Sequence, residues 1–276
     1  MRRLLEVTPR EVMATIEHNR QMWDRDWPDA GEGWSVAWGG VESQWFGTIL
    51  NRIRAFVPSD TILEIGPGFG RWTQFLIRNC QSLIAVDLST KCIEACRSRF
   101  RSSRKIKLYT NDGTSLAMIP DSSVDFVFSF DSLVHADAEV IEAYLEQLSR
   151  KMKPDAAGFI HHSNLGDYLG SQAQRPRDVG NPHWRAENVS ARFFEESCER
   201  AGLRCVNQEV VNWGGEVLND CFSVFTTKAS GWRSPSRVFV NPRFMDEARY
   251  FYEMSRVYST ESLKSGSPDI QAAELV

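Results

Sequence analysis

The sequence predicts a doubly wound α/β fold on a mostly parallel sheet of seven strands, the last one antiparallel. Three observations carry this. Across 59–228, short apolar runs rich in β-branched and aromatic residues alternate with helix-length segments. Such alternation implies parallel pairing with right-handed crossovers. The first run leads into Glu64-Ile65-Gly66-Pro67-Gly68-Phe69-Gly70, which opens directly into a helix. Finally, only WGGEVLND separates the last two runs, too little for a crossover, so they pair antiparallel.

The strands follow in order: TILEI (61–65), SLIAV (82–86), IKLYT (106–110), VDFVFSF (124–130), AAGFIHH (156–162), CVNQEVV (205–211) and CFSVFTT (221–227). Between them, 70–79, 89–100 and 138–152 read as helices. Two further regions flank this one. Residues 1–58 hold a helix (about 9–23), a tryptophan-rich stretch WDRDWPDAGEGWSVAWGG (23–40) and a second helix (about 41–56) that stops at Pro58. Residues 229–276 form a C-terminal extension with a Gly-Ser-Pro-rich turn, a helix over 243–257 and a polar tail expected to be flexible.

At 276 residues, 42% hydrophobic and 25% charged, the chain can bury a sizeable core. Its net charge of −4 offers no basic footprint for nucleic acid. The basic run RSRFRSSRKIK (97–107) reads as a solvated patch between a helix and a strand. No apolar run approaches the ~18 residues of a membrane span, and acids and a proline interrupt the first residues where an export signal needs an apolar stretch. The six cysteines are scattered without a Cys-x-x-Cys pair. A cytoplasmic protein with reduced thiols is expected.

In doubly wound sheets the ligand sits beyond the carboxyl ends of the strands, where strand order reverses. The residues just after each strand therefore decide the chemistry. The glycine-rich loop lets a ligand approach main-chain N–H groups at a helix start. It is not the dinucleotide fingerprint, since Arg71 stands where Gly or Ala is needed, and it lacks the Lys and Ser/Thr of a phosphate loop. Asp87 ends the second strand, where a carboxylate can accept both hydroxyls of a ribose. Asn111-Asp112-Gly113 follows the third strand, a place for a short acid to receive an exocyclic adenine amine. Phe130-Asp131-Ser132-Leu133-Val134-His135 ends the fourth. Each has a bland reading: a tight turn at Gly66 and Gly68, a cap by Asp87 on the helix opening at Ser89, a plain turn at Asp112-Gly113.

Over about 61–163 the pattern resembles the class I S-adenosylmethionine-dependent methyltransferases: Glu-x-Gly-x-Gly-x-Gly, an acid ending strand two, Asn-Asp-Gly after strand three, SFDSLVHA after strand four, and KMKPDAAGFI entering strand five. Asp155-Ala156-Ala157 departs from the two glycines common there. The resemblance implies a Rossmann-like methyltransferase fold that binds S-adenosyl-L-methionine and releases S-adenosyl-L-homocysteine. On it, Gly66, Gly68 and Gly70 wall the methionine part, Asp87 holds the ribose and Asp112 the adenine, with Leu88 and Gly113 beside them. Glu64 helps bind the methionyl amine through water. The segment before strand one forms a lid, with Trp34 and Trp38 nearest the cofactor and Trp23 and Trp27 structural.

Methyl transfer to a hydroxyl needs a base, and histidine is the natural candidate. His135, His162 and Asp131 are the expected catalytic residues. His161 and His162 are adjacent in a strand and point to opposite faces, so one at most meets the substrate. Asp131, His135, Asp137 and a strand-five histidine could gather Mg2+, but acids at strand ends more often cap the next helix, so no metal is expected. The long loop 164–190, with Tyr168, His183, Trp184 and Arg185, reads as the substrate wall. Aromatic faces with polar neighbours suit a sugar-type acceptor. The expected activity is O-methylation of a small hydroxylated molecule, a sugar or glycosylated metabolite first, without nucleic acid or membrane insertion and with a homo-oligomer left open. The alternatives are N-methylation of an amino sugar or small amine, and a non-catalytic cofactor-binding regulatory protein.

Overall fold

The structure is a computed structural model; it describes residues 14–169, 181, 183–214, 217–232 and 236–265. The start of the expected first helix, most of the middle of the 164–190 loop and the tail from 266 lie outside the described residues.

Eight strands form one sheet in the order β3-β2-β1-β4-β5-β7-β6-β8. They are β1 (Ser59–Ile65), β2 (Cys80–Asp87), β3 (Ile106–Thr110), β4 (Val124–Ser129), β5 (Met152–Ser163), β6 (Leu203–Val211), β7 (Asp220–Thr227) and β8 (Val238–Asn241). β1 to β5 pair in parallel, and β7 runs antiparallel to both β5 and β6. The strand beyond the expected seven is β8, parallel to β6. Its short run Val238-Phe239-Val240 lies between prolines in the stretch expected to be an extension, and its three side chains are more than half exposed. Strand order reverses between β1 and β4, which places the crevice there.

In chain order the helices are α1 (Ile16–Trp23), α2 (Val41–Gln44), α3 (Leu50–Ile53), α4 (Thr73–Leu76), α5 (Thr90–Arg99), α6 (Ala138–Lys151), α7 (Gly166–Leu169), α8 (Ala191–Arg200), α9 (Phe244–Val257) and α10 (Thr260–Ser265). A 3-10 segment spans Glu32–Trp38, and a π-helical turn joins α2 to α3. Local chemistry starts the longer helices: the side chains of Thr15, Ser89, Asp137 and Ser190 each accept a first-turn N–H of the helix that follows. Val140, Ile141, Tyr144, Leu145 and Leu148 give α6 a buried stripe at helical spacing.

Alternation along the strands then sorts the two faces. Leu63, Ile65, Val127 and Ile160 pack with α6 and α8. Ile62, Phe126, Phe128, Phe130, Phe159 and Phe222 pack on the other face with Trp38, Trp45, Trp72 and Phe244. Arg52 fastens this second layer, donating to both carboxylate oxygens of Glu209 on β6 at 2.7 Å and to Glu247 on α9. All six cysteines are free and buried. Among the described residues, no helix is long and apolar enough to cross a membrane.

Candidate active site

A cavity opens at the carboxyl ends of β1, β2 and β4, where doubly wound sheets bind their ligands. Its wall takes Gly66 and Gly68 from the loop after β1, Asp87 and Leu88 from the end of β2, Gly113 after β3, and Asp131 and His135 after β4. The N-terminal segments add Asn19, Trp23, Trp27 and Trp34 to the wall.

The glycines at 66 and 68 are required. Both have positive φ, +73° and +55°. A Cβ on Gly66 would fall 1.9 Å from the Ser132 Oγ, and one on Gly68 would fall 2.7 Å from the Trp27 ring. Gly70 faces Phe100 and Cys96 instead, outside the wall. Asp87 is buried and holds the loop in place: its Oδ2 accepts the Gly68 N–H at 3.1 Å and its Oδ1 the Ser89 N–H at 2.9 Å. Burial pushes its carboxyl up to about 6, against those N–H donors.

Four more expected residues stand elsewhere. Glu64 is not in the cavity wall; its Oε2 accepts the Thr73 hydroxyl at 2.7 Å at the start of α4, and burial pushes it up to about 8. Asp112 is exposed and turned onto its own loop, accepting the N–H groups of Thr114 and Ser115 at 2.8 and 2.7 Å, so Gly113 rather than Asp112 lines the cavity. Trp38 is 1% exposed inside the second core, against Trp213 and Phe244, with its Nε1 donating to Thr48 at 3.0 Å. Packing into that core removes it from the cavity, while Trp23 and Trp27, expected to be structural, line it. His162 lies on the α8 face, its ring stacked on Phe194 at 4.4 Å and its nitrogens bonded to Ser163 O and Ser223 Oγ. It is not among the residues that line the cavity.

His135 and Asp131 do reach the wall. His135 is buried, its ring between Trp23 at 5.3 Å and Trp184 at 5.5 Å, and burial drives it down to about 4. It is therefore neutral near pH 7. Asp131 is an ion partner of Arg71, with Nη2 to Oδ2 at 2.6 Å. Arg71 also lies over the rings of Trp72 and Trp34, at 4.6 and 5.5 Å. Its position directly after the last loop glycine was the signal available for it. Asp137 is spent as the α6 cap, and among the described residues no group of three His, Cys, Asp or Glu is placed to hold a metal ion.

The cavity is polar in an unusual way. His135 Nδ1, Trp27 Nε1 and Trp72 Nε1 belong to its wall and are buried without a hydrogen-bond partner, as is Trp184 Nε1 on a ring packed against His135. Buried polar groups are almost always paired. The orphaned atoms around this cavity are ones that a ligand with both donors and acceptors would satisfy. An adenosyl-sulfonium amino acid has both, and its ribose hydroxyls match the Asp87 carboxylate.

Residues 62–155, about a third of the chain, match the methyltransferase domain family. The ribosomal RNA small subunit methyltransferase A of Dehalococcoides mccartyi (strain CBDB1) is 30% identical over 113 residues, 39% of this chain and 38% of that protein. Phosphoethanolamine N-methyltransferase 3 of Arabidopsis thaliana is 26% identical over 201 residues, 67% of this chain and 38% of that one. The chain thus spans well under half the length of either curated relative. Among solved structures, an S-adenosylmethionine-dependent methyltransferase from Clostridium acetobutylicum superposes with a TM-score of 0.50 at 15% identity, over 67% of this chain and 91% of that one. The cyclase SpnF does so with the same TM-score of 0.50 at 14% identity, over 71% and 83%. The fold is the Rossmann-like methyltransferase fold, and residues 62–155 are similar to the methyltransferase domain family.

Proposed function

We propose that this chain transfers the methyl group of S-adenosyl-L-methionine to a hydroxyl of a small molecule, a sugar-type acceptor first. The observation that supports this reading is the cavity at the strand-order reversal, walled by Gly66, Gly68 and Asp87 and ringed by orphaned polar atoms. Fold likeness alone would not support it, because a cyclase shares the architecture. In this reading α1 and the Glu32–Trp38 segment act as the lid.

When bound, the cofactor supplies an electrophilic methyl carbon for in-line displacement. The chain's residues do the rest. Asp87 fixes the ribose; Gly68 keeps the loop backbone within reach of it. Trp23, Trp27 and Trp34 exclude water and present ring faces that favour a cation. His135, neutral and buried, accepts the acceptor's hydroxyl proton as the new bond forms. Its lowered basicity does not forbid this, since positive charge leaves one site as it arrives at the other and the cavity's net charge is unchanged.

The tryptophan faces also favour a second reading, in which the acceptor is a small amine. Curated relatives named as phosphoethanolamine N-methyltransferases point the same way. The names of the ribosomal RNA relatives do not allow nucleic acid to be set aside on charge balance; the tryptophan-lined cavity supports the small-molecule choice.

Calorimetry with S-adenosyl-L-homocysteine tests the cofactor, and absence of heat with folded protein ends the proposal. His135→Gln then separates the acceptors. Hydroxyl transfer should fall by about 10²-fold or more, the typical worth of a general base, while amine transfer should largely survive.

A further inference from the structure

We propose that Arg71, Asp131, His161, Asp220 and Arg185 form a buried relay. One end is an ion pair in the cavity wall set to receive a zwitterionic amino-acid group; the other is held by the segment ahead of α8. The proposal rests on the adenosyl-sulfonium reading above.

The contacts run without a break. Arg71 Nη2 donates to Asp131 Oδ2 at 2.6 Å, and the Asp131 N–H donates to His161 Nδ1 at 3.1 Å. His161 Nε2 meets Asp220 Oδ2 at 3.0 Å. Asp220 accepts Arg185 through both oxygens, Nη2 to Oδ2 at 2.9 Å and Nε to Oδ1. His161 and Asp220 are 0% exposed. Because Nδ1 accepts a backbone N–H, the ring proton sits on Nε2 and is donated to Asp220. Both nitrogens are committed, so His161 is a positioning residue and not a base. Burial pushes the Asp220 carboxyl up, but Arg185 and His161 together hold it below its ordinary value.

Two features show that the Asp131 end is more than packing. Asp131 has φ +60°, a left-handed conformation that a non-glycine residue adopts at some strain. The N–H bond to His161 holds it there. Arg71 and Asp131 also both line the cavity, and among the described lining residues Arg71 is the only Lys or Arg. A guanidinium and a carboxylate side by side complement the carboxylate and ammonium of an α-amino acid end through charge-assisted bonds. At the far end, Arg185 follows Trp184, whose ring packs on His135 and Trp23 over the cavity. A shift of that segment pulls on Asp220, then His161, then Asp131.

The test compares two probes by calorimetry on the full chain. S-adenosyl-L-homocysteine carries the amino-acid end; 5′-methylthioadenosine lacks it. The ratio of their affinities isolates the zwitterion's share. His161→Asn places an acceptor oxygen near Nδ1 and keeps the Asp131 N–H bond; His161→Gln keeps only the donor to Asp220. The ratio should fall in His161→Asn as it does in Arg185→Gln, because both cut the connection between His161 and Arg185. It should fall about tenfold in His161→Gln, in Arg185→Gln and in Asp131→Asn, with methylthioadenosine affinity unchanged, in line with loss of a hydrogen bond to a charged group. An equal ratio in all variants, or parallel loss of both ligands, overturns the relay. If wild type binds neither probe, the adenosyl reading itself fails and takes the relay with it. Circular dichroism monitors folding, and should His161→Gln not fold, Arg185→Gln and His161→Asn give the same reading against wild type.

Discussion

Glu64 and Asp87 are both carboxyls taken from water within the glycine-loop region, yet they do different work. Asp87 faces the cavity and keeps backbone donors, while Glu64 lies behind it on Thr73. With its folded value pushed up to about 8, Glu64 retains a proton that the unfolded chain has released above ~4.3. The native state therefore binds more protons over that window, and stability from this group falls as pH rises from about 4.5 to 8, then levels. Glu64→Gln keeps the Thr73 contact and removes the ionisation. Its melting temperature should match wild type near pH 5 and exceed it by several degrees at pH 8.5. A pH-independent difference between the two would show that Glu64 is ionised in the fold. His135 acts with the opposite sign: its value lies at about 4, so stability from its neutral burial is lost as pH falls from ~6.5 toward 4.

At the scale of elements, the N-terminal tryptophans divide into two sets that composition could not separate. Trp38 sits in a packed layer; Trp27 stacks on Phe69 at 4.6 Å and touches Gly68 at the cavity. Truncation should separate them as well. Trp38→Ala should destabilise the fold by about 3–5 kcal/mol, with ligand affinity of the folded fraction little changed. Trp27→Ala should weaken S-adenosyl-L-homocysteine binding about tenfold while lowering the melting temperature only slightly. Urea melts beside calorimetry decide it; the reverse pattern would place the cofactor on the wrong side of this arm. Much of the rest was legible. The strand runs, the antiparallel end at β7, the turn glycines and Asp87 all follow from period, spacing and the rule for crevices. Side-chain direction within a turn was not. Asp112 and Gly113 differ by one position, and whether the acid points in or caps its own loop depends on which N–H groups lie free. His161 and His162 illustrate the converse: strand alternation put them on opposite faces, but which face held the cavity side depended on the layers above.

For the whole molecule, the eighth strand changes what the protein presents to its surroundings. Val238, Phe239 and Val240 are each 55–59% exposed on the last strand of the described sheet. Exposed apolar edges of this kind favour pairing between chains. Phe239→Lys should reduce concentration-dependent self-association seen by sedimentation, with a change in stability within about 0.5 kcal/mol. Identical sedimentation of both proteins at every concentration would show that the edge is inert.

The indoles around the cavity have a practical consequence. Trp23, Trp27 and Trp34 line the place where an adenine-bearing molecule would lodge, so intrinsic emission should respond as the site fills, and the signal should vanish in Asp87→Ala. Titrating unlabelled protein in a fluorimeter would then rank candidate acceptors by whether they alter the quench, before any product has been identified.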